Sequence, residues 1–192
     1  MSQMAVAAEH LELKDPRAMR ALAHPVRLSI LEVLHANGTA NATECAREVG
    51  ESPQACSYHL RALAKWGFIR HVDSDDGRET RWAPAARNVH FSSVADDSPE
   101  FQAAASLLQR QVLDRDNRIV AQYLNREQEL SEDWRDAATF SSGFVVISPD
   151  ELRDLNKRFA ELLRPYGADR VDKPDGARRV DVILRALPRV GA

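Results

Sequence analysis

Features that define several common protein classes are scarce in this sequence. Only two cysteines, Cys45 and Cys56, occur among 192 residues. Two are too few for a disulfide framework, and a reducing cytosol would keep both as thiols. No apolar run approaches the roughly 18 residues that a membrane helix needs, and the first residues lack the basic and apolar regions of a signal peptide. We therefore expect a cytoplasmic protein without a membrane partner.

An excess of positive charge is also missing. The net charge of -3 excludes a uniformly basic coat for nucleic acid, so any such surface must be local. The chain has no glycine-rich phosphate loop, no nucleophile elbow and no cluster of histidines and carboxylates with metal-ligand spacing. It is therefore expected to be neither an enzyme nor a cofactor-binding protein.

Proline marks where helices begin, because a helix has no use for the amide hydrogen of its first residue. Five prolines follow a residue that could serve as an N-cap, four of them after Asp or Ser, the favoured caps. Glu151 adds a capping box to the last start. Together with apolar spacing, these starts predict helices over residues 15–22, 25–36, 42–49, 53–66, 98–125 and 149–166.

Extended structure is predicted after the fourth helix. The segments FIRHV and TRWA flank the polar run SDDGRE, in which Asp76-Gly77 is a strong hairpin signal. We place the hairpin tip at residues 75–78. A polar connector with a short extended piece at residues 88–91 then marks a boundary. The predicted organisation is a flexible N-terminus (1–13), a first domain (14–92) and a second region (98–192).

The fourth helix carries two distinct faces. Cys56, Leu60 and Leu63 fall on one side, which we take as the core face. A polar and basic stripe lies opposite, and no Asp or Glu occurs from residue 52 to residue 72. In a chain of net negative charge, this local gap indicates a polyanionic partner. The stripe consists of Gln54, Tyr58, Arg61 and Lys65.

A short helix, a tight turn, a second helix and a hairpin together form a helix-turn-helix with a wing. The runs RALAHPVRLSILEVL, ECAREVG and SYHLRALAKWGFI resemble the DNA-binding domain of ArsR-type (arsenical repressor) winged-helix regulators, over roughly residues 14–92. The resemblance implies a dimeric, cytosolic transcription factor, usually a repressor that a signal releases. By matching positions, it also implies DNA contacts from Ser52, Gln54, Ala55, Ser57, Tyr58 and His59, and from Arg78 and Arg81 in the wing.

The resemblance does not extend to the metal sites of that family. Many members bind metal through cysteines of the third helix, in a Glu-Leu-Cys-x-Cys pattern. Here Cys45 stands at the leucine position, while Ala46 and Glu48 stand at the ligand positions. The other family site uses the long helix, but no histidine follows His90. We therefore expect no metal.

Cys56 and His59 lie three residues apart and invite a metal or redox interpretation. Two ligands do not complete a four-coordinate site, and free cysteines are usually buried. We expect a core thiol beside a histidine that packs or touches phosphate. A disulfide switch between Cys45 and Cys56 stays open as an alternative.

The long helix predicted from residue 98 has an apolar stripe, which we interpret as a dimer seam. Two-fold symmetry would set two recognition helices about 34 Å apart and would require an inverted-repeat operator. The stripe consists of Phe101, Ala105, Leu108, Val112, Ile119 and Tyr123.

The C-terminal region reads as strand, helix, strand, from FSSGFVVIS to RRVDVILRALP. Its role stays open between a structural cap, an added dimer interface and a module that receives a signal. The fold class expected for the whole chain is α+β: a winged helix-turn-helix domain, a long dimerisation helix and a small strand-helix-strand region.

The sequence thus predicts a homodimeric regulator that binds double-stranded operator DNA and represses until released. The releasing signal is not identified and could be a small molecule, a protein partner or temperature. The alternatives are a winged-helix protein-interaction adaptor and a thiol-based redox sensor.

Overall fold

The computed structural model describes residues 8–73, 79–90, 96–167, 170 and 172–191. It divides into two compact units between Arg115 and Asp116. The elements of the first part are β1 (Ala8–Glu12), α1 (Pro16–Leu22), α2 (Pro25–Asn37), α3 (Ala42–Val49), α4 (Pro53–Lys65), β2 (Ile69–Val72), β3 (Arg81–Pro84) and β4 (Ala86–His90). They are followed by α5 (Pro99–Arg126), α6 (Glu132–Ala137) and α7 (Pro149–Leu163), with single 3-10 turns after α5 and α7. The predicted α+β fold class with a winged helix-turn-helix is confirmed.

The helix starts follow the predicted capping chemistry. The carboxylate of Asp15 accepts a hydrogen bond from the Arg17 amide at 2.8 Å. Asn41 and Ser148 each form a complete capping box with the glutamate three residues later. Such caps satisfy amide hydrogens that have no partner within the helix. All five helices predicted from a proline begin at that proline.

The predicted hairpin is present as the antiparallel pair β2 and β3, in which His71 lies opposite Trp82. Ala40 joins this sheet at its other edge, since it exchanges two backbone hydrogen bonds with Trp82, at 2.9 and 3.0 Å. The sheet therefore anchors the wing beside the N-terminus of α3. The predicted tip at residues 75–78 lies outside the described residues.

The N-terminus corrects one prediction, because residues 8–12 are not flexible. They form β1, which pairs in parallel with β4, and the Leu13 amide extends the pairing to the His90 carbonyl at 2.8 Å. Leu13 is buried in the core.

The core of the first unit includes the first half of α5, so this unit extends past the predicted boundary to Arg115. Phe101, Ala105 and Leu108 are essentially fully buried in the same cluster as α1, α2 and α4, and Val112 packs against it. Ion pairs reinforce this packing, from Arg20 to Glu100 and from Arg115 to Glu32. These four stripe residues pack within their own chain. The other two, Ile119 and Tyr123, are half-buried in the second unit, and the dimer seam stays a prediction.

The predicted strands of the C-terminal region are the second correction. Helix α7 is present, but residues 138–148 and 177–189 form neither a strand nor a helix. A strand requires a neighbour that pairs with its backbone, and these segments do not pair within the described part of the chain.

No helix among the described residues has the length and apolar character needed to cross a membrane.

Substituting Phe101→Ala should lower the free energy of unfolding by about 3–5 kcal/mol, because it removes a fully buried ring and leaves a cavity. Leu107→Ala, at a more exposed position of α5, is the matched control and should cost less than about 1 kcal/mol. Urea denaturation of the full chain measures both. Similar losses for the two variants would contradict the placement of Phe101 in the core.

Candidate nucleic-acid interface

The turn between α3 and α4 is fixed from both sides. Gly50 ends α3 in the left-handed conformation, with φ of 73°, and its amide donates to the Ala46 carbonyl at 3.0 Å. That conformation favours glycine because a side chain would be strained there. Two residues later the Ser52 hydroxyl accepts a hydrogen bond from the Ala55 amide at 3.1 Å and starts α4. The two caps therefore set the angle at which α4 leaves the turn.

Helix α4 buries one face and exposes the other. Cys56, Leu60 and Leu63 are buried in the core. Gln54, Tyr58, Arg61 and Lys65 are exposed, and 61% of Tyr58 is accessible. The predicted inner and outer faces are thus found, and the DNA contacts of the outer face stay predictions.

The two cations of the outer face are held loosely by their own helix. The Arg61 guanidinium donates to the Ser57 carbonyl at 3.1 Å, and the Lys65 ammonium lies 5.9 Å from the centre of the Trp66 ring. Neither forms an ion pair with a carboxylate within the described ranges. Both charges are therefore available to a polyanion.

The remaining residues predicted at the reading helix have structural roles of their own. Ser52 is the N-cap of α4, so its hydroxyl is already engaged. Ala55, Ser57 and His59 are half-buried. They lie beside the outer face, and their contribution to DNA contact stays a prediction.

His59 belongs to a small polar cluster that joins α4 to the start of α2. Its ring centre lies 4.7 Å from that of His24, and the Tyr58 ring meets it edge-on. The Arg27 guanidinium donates to His59 Nδ1 at 3.4 Å and also to the Ala21 carbonyl. Sequence reasoning did not include His24 and Arg27 in the site. The HPVR start of α2 was visible, but its contact with α4 spans more than 30 residues.

The charged form of both histidines in this cluster is disfavoured. Burial is the main cause that lowers the pKa of His24 and of His59, and the nearby Arg27 charge lowers each pKa further. Glu51 opposes this shift. The geometry agrees, because a ring nitrogen that accepts a hydrogen bond from Arg27 carries no proton. His24 Nδ1 is buried without a hydrogen-bond partner among the described residues.

In the wing, Arg81 is bound to the first unit instead of projecting freely. Its guanidinium contacts the Glu44 carboxylate at 3.0 Å and the Thr39 hydroxyl at 3.4 Å. Glu44 also caps α3, and its hydrogen bond from the Asn41 amide, followed by Arg81, lowers the pKa of Glu44. Arg81 therefore connects the wing to the start of α3, and its predicted DNA contact would compete with this ion pair. Arg78 lies outside the described residues.

The two cysteines are buried and free. Burial raises the pKa of Cys45 to about 11 and also raises the pKa of Cys56. Since the thiolate is the reactive form, burial disfavours reaction at both side chains. Among the residues that the structure describes, no three His, Cys, Asp or Glu side chains gather as metal ligands would.

Residues 22–72 match the family model of a helix-turn-helix domain. No curated protein matches the chain. One similar solved structure is the homodimeric winged helix-turn-helix DNA-binding domain of a possible ArsR-family transcriptional regulator from Mycobacterium bovis. It is 20% identical, with 60% of this chain and 85% of that chain covered, at a TM-score of 0.33.

Two further similar structures have lower identity. The YusO protein from Bacillus subtilis is 14% identical, with 78% of this chain and 83% of that chain covered, at a TM-score of 0.32. A MarR variant from E. coli is 13% identical, with 78% of this chain and 87% of that chain covered, at a TM-score of 0.32.

The chain thus carries a helix-turn-helix domain of the winged type, in which α3, the turn and α4 form the helix-turn-helix and β2 and β3 form the wing. This is a fold class of DNA-binding regulators.

The histidine cluster predicts an acid-sensitive fold. Because both histidine pKa values lie below the unfolded value of 6.5, the unfolded chain binds more protons as the pH falls below that value. The stability that these two histidines contribute should therefore be fully present above about pH 6.5. It should decrease as the pH falls towards their pKa values in the folded protein. Thermal unfolding between pH 8 and pH 5.5 measures the slope, in the range where histidine titrates.

A His59→Gln variant should show a shallower slope over that range. Gln54→Ala, an exposed and uncharged position on the same helix, is the control and should retain the slope of the unsubstituted protein. An unchanged slope in His59→Gln would show that other groups cause the acid sensitivity.

Proposed function

We propose that this protein is an ArsR-type transcription regulator that binds an inverted-repeat operator as a homodimer, represses transcription and is released by a signal that is not yet identified. The observation that carries the proposal is the outer face of α4, which is exposed, polar to basic and free of acidic residues. The helix-turn-helix match over residues 22–72 supports it. The proposal includes no catalytic activity.

The order of residues along α4 suggests a division of roles. In a helix-turn-helix, the first turns of the second helix reach base edges in the major groove, while later residues meet the phosphate backbone. Gln54 and Tyr58 lie in the first two turns, so we assign them to base contact. Arg61 and Lys65 lie further along, so we assign them to phosphate.

The core below α4 supports the same assignment. Three buried side chains hold the inner face, and the capped turn before Pro53 fixes the helix start. The reading side chains are thus presented on a rigid element, which is what direct base recognition requires. The buried, protonated cysteines argue against a thiol redox sensor, since a reactive thiol is exposed and has a lowered pKa.

Alanine at Gln54 or Tyr58 should reduce discrimination between operator and random DNA by about 1–3 kcal/mol, because a base contact is lost. Lys65→Ala should weaken binding to both DNAs equally and reduce the salt dependence by about one phosphate contact. Titrations of labelled DNA at several salt concentrations measure both effects. The operator is first obtained by selecting genomic fragments that the purified protein binds.

Lys14→Ala, which removes the same charge from an exposed position between β1 and α1, is the matched control and should leave binding unchanged. Equal losses on operator and random DNA for all α4 variants would contradict base recognition by Gln54 and Tyr58. The absence of any salt-dependent DNA binding would instead favour a protein-interaction adaptor.

A further inference from the structure

The second unit, from Asp116 onward, has almost no interior. Among its described residues, Asp116 is the only buried one, and no apolar side chain is buried. The Arg185 guanidinium contacts the Asp116 carboxylate at 2.9 Å and fixes the C-terminal segment to the second half of α5. Apart from this ion pair, the unit resembles half of a hydrophobic core without its other half.

Fifteen large apolar side chains of this unit are exposed. They include the run at residues 144–147, in which Phe144 is 88% and Val146 is 95% accessible. In the segment at residues 180–184, every side chain except that of Asp181 is apolar and exposed. Short, nearly continuous apolar runs of this kind are consistent with strands that are buried in a core.

The backbone of these two segments also lacks hydrogen-bonded partners in the described part of the chain. Neither forms a strand, and neither makes a backbone hydrogen bond among the described residues. Helix α7 between them has 15 residues and a complete capping box. A helix of that length is marginal by itself in water, so it needs packing against its apolar side. The two segments and α7 between them thus all lack an apolar surface to pack against.

The amount of apolar surface indicates what kind of partner covers it. With about 150 Å² for a fully accessible large side chain, the exposed set presents on the order of 1,500 Å². One partner in a standard protein interface contributes about 800 Å², and only permanent assemblies, which resemble a domain core cut in half, contribute much more. A permanent partner must be present whenever the chain is, and a second copy of the chain meets that condition.

Charge distribution agrees with contact between two copies. The second unit carries both signs of charge. Glu151 lies in the first turn of α7 and Arg178 in the C-terminal segment, while Asp150, Arg179 and Arg185 pair with Arg153, Asp181 and Asp116 of the same chain. A two-fold contact uses the same patch on both copies, so the patch must be complementary to itself. A surface that carries both signs and a large apolar area satisfies this condition.

We propose that the second unit is the dimer interface of this protein, and that residues 144–147 and 180–184 become strands when they meet a second copy. The buried first half of α5 then supports the DNA-binding unit, while the unit after Asp116 joins two chains. The dimeric operator binding proposed above gives this contact its role, but the contact itself can be tested without DNA.

The test uses the full chain and compares two substitutions with matched controls by light scattering after size exclusion. The unsubstituted protein should have twice the chain mass at micromolar concentration. The double variant Val146→Asp/Val182→Asp should be a monomer, because each carboxylate would be buried in the contact. The control Asn37→Asp/Thr43→Asp adds the same charges at exposed polar positions of the first unit and should stay dimeric.

A milder pair keeps the test interpretable if the carboxylates prevent folding. Val146→Thr/Val182→Thr preserves shape and strand propensity, and it should raise the dissociation constant of the dimer roughly tenfold or more. Far-ultraviolet circular dichroism of the dimer should show strand signal that decreases on dilution to monomer.

A monomeric unsubstituted protein would overturn the proposal. A dimer that persists in both double valine variants but dissociates when Leu107→Asp is introduced in the first half of α5 would also overturn it. DNA binding separates this result from the proposed function. A dimer that behaves as expected but binds no DNA would contradict only the regulator role. A monomer that still binds single half-sites would contradict only the dimer contact.

Discussion

The burial of one face of α4 is the constraint on which the rest of the first unit depends. Cys56, Leu60 and Leu63 occupy the centre of the core, and a helix cannot turn them inward without turning Gln54, Tyr58 and Arg61 outward. The capped turn before Pro53 removes the remaining freedom of direction. Hydrophobic packing therefore decides which side chains α4 presents to solvent.

Polar contacts add to the positioning of the wing and α4 that the core provides. The wing sheet is joined to the start of α3 by Arg81 and Glu44, and α4 is joined to α2 by His59 and Arg27. Each contact connects a part of the candidate interface to the scaffold. The neutral histidines make one of these joints sensitive to acid, since burial lowers the pKa of both rings. Presentation of the reading helix and stability of the fold thus depend on the same residues.

The two units differ in the side chains that they bury. The first buries a continuous core from Leu13 to Leu108 within one chain. Among its described residues, the second buries only the charged side chain of Asp116 and leaves its apolar segments accessible. The first unit thus folds on a core of its own, and the second presents the apolar surface on which the proposed dimer contact rests.

The sequence by itself determined the local structure and the faces of the reading helix. Proline starts, caps and apolar spacing act between neighbours, so helices such as α3 and α7 could be predicted nearly to the residue. Only the tertiary structure decided where the long-range partners lie: β1 on β4, Arg81 on Glu44 and Phe101 in the core. An apolar stripe shows that a helix packs, but not against what, because spacing along one helix carries no information about the surface it meets.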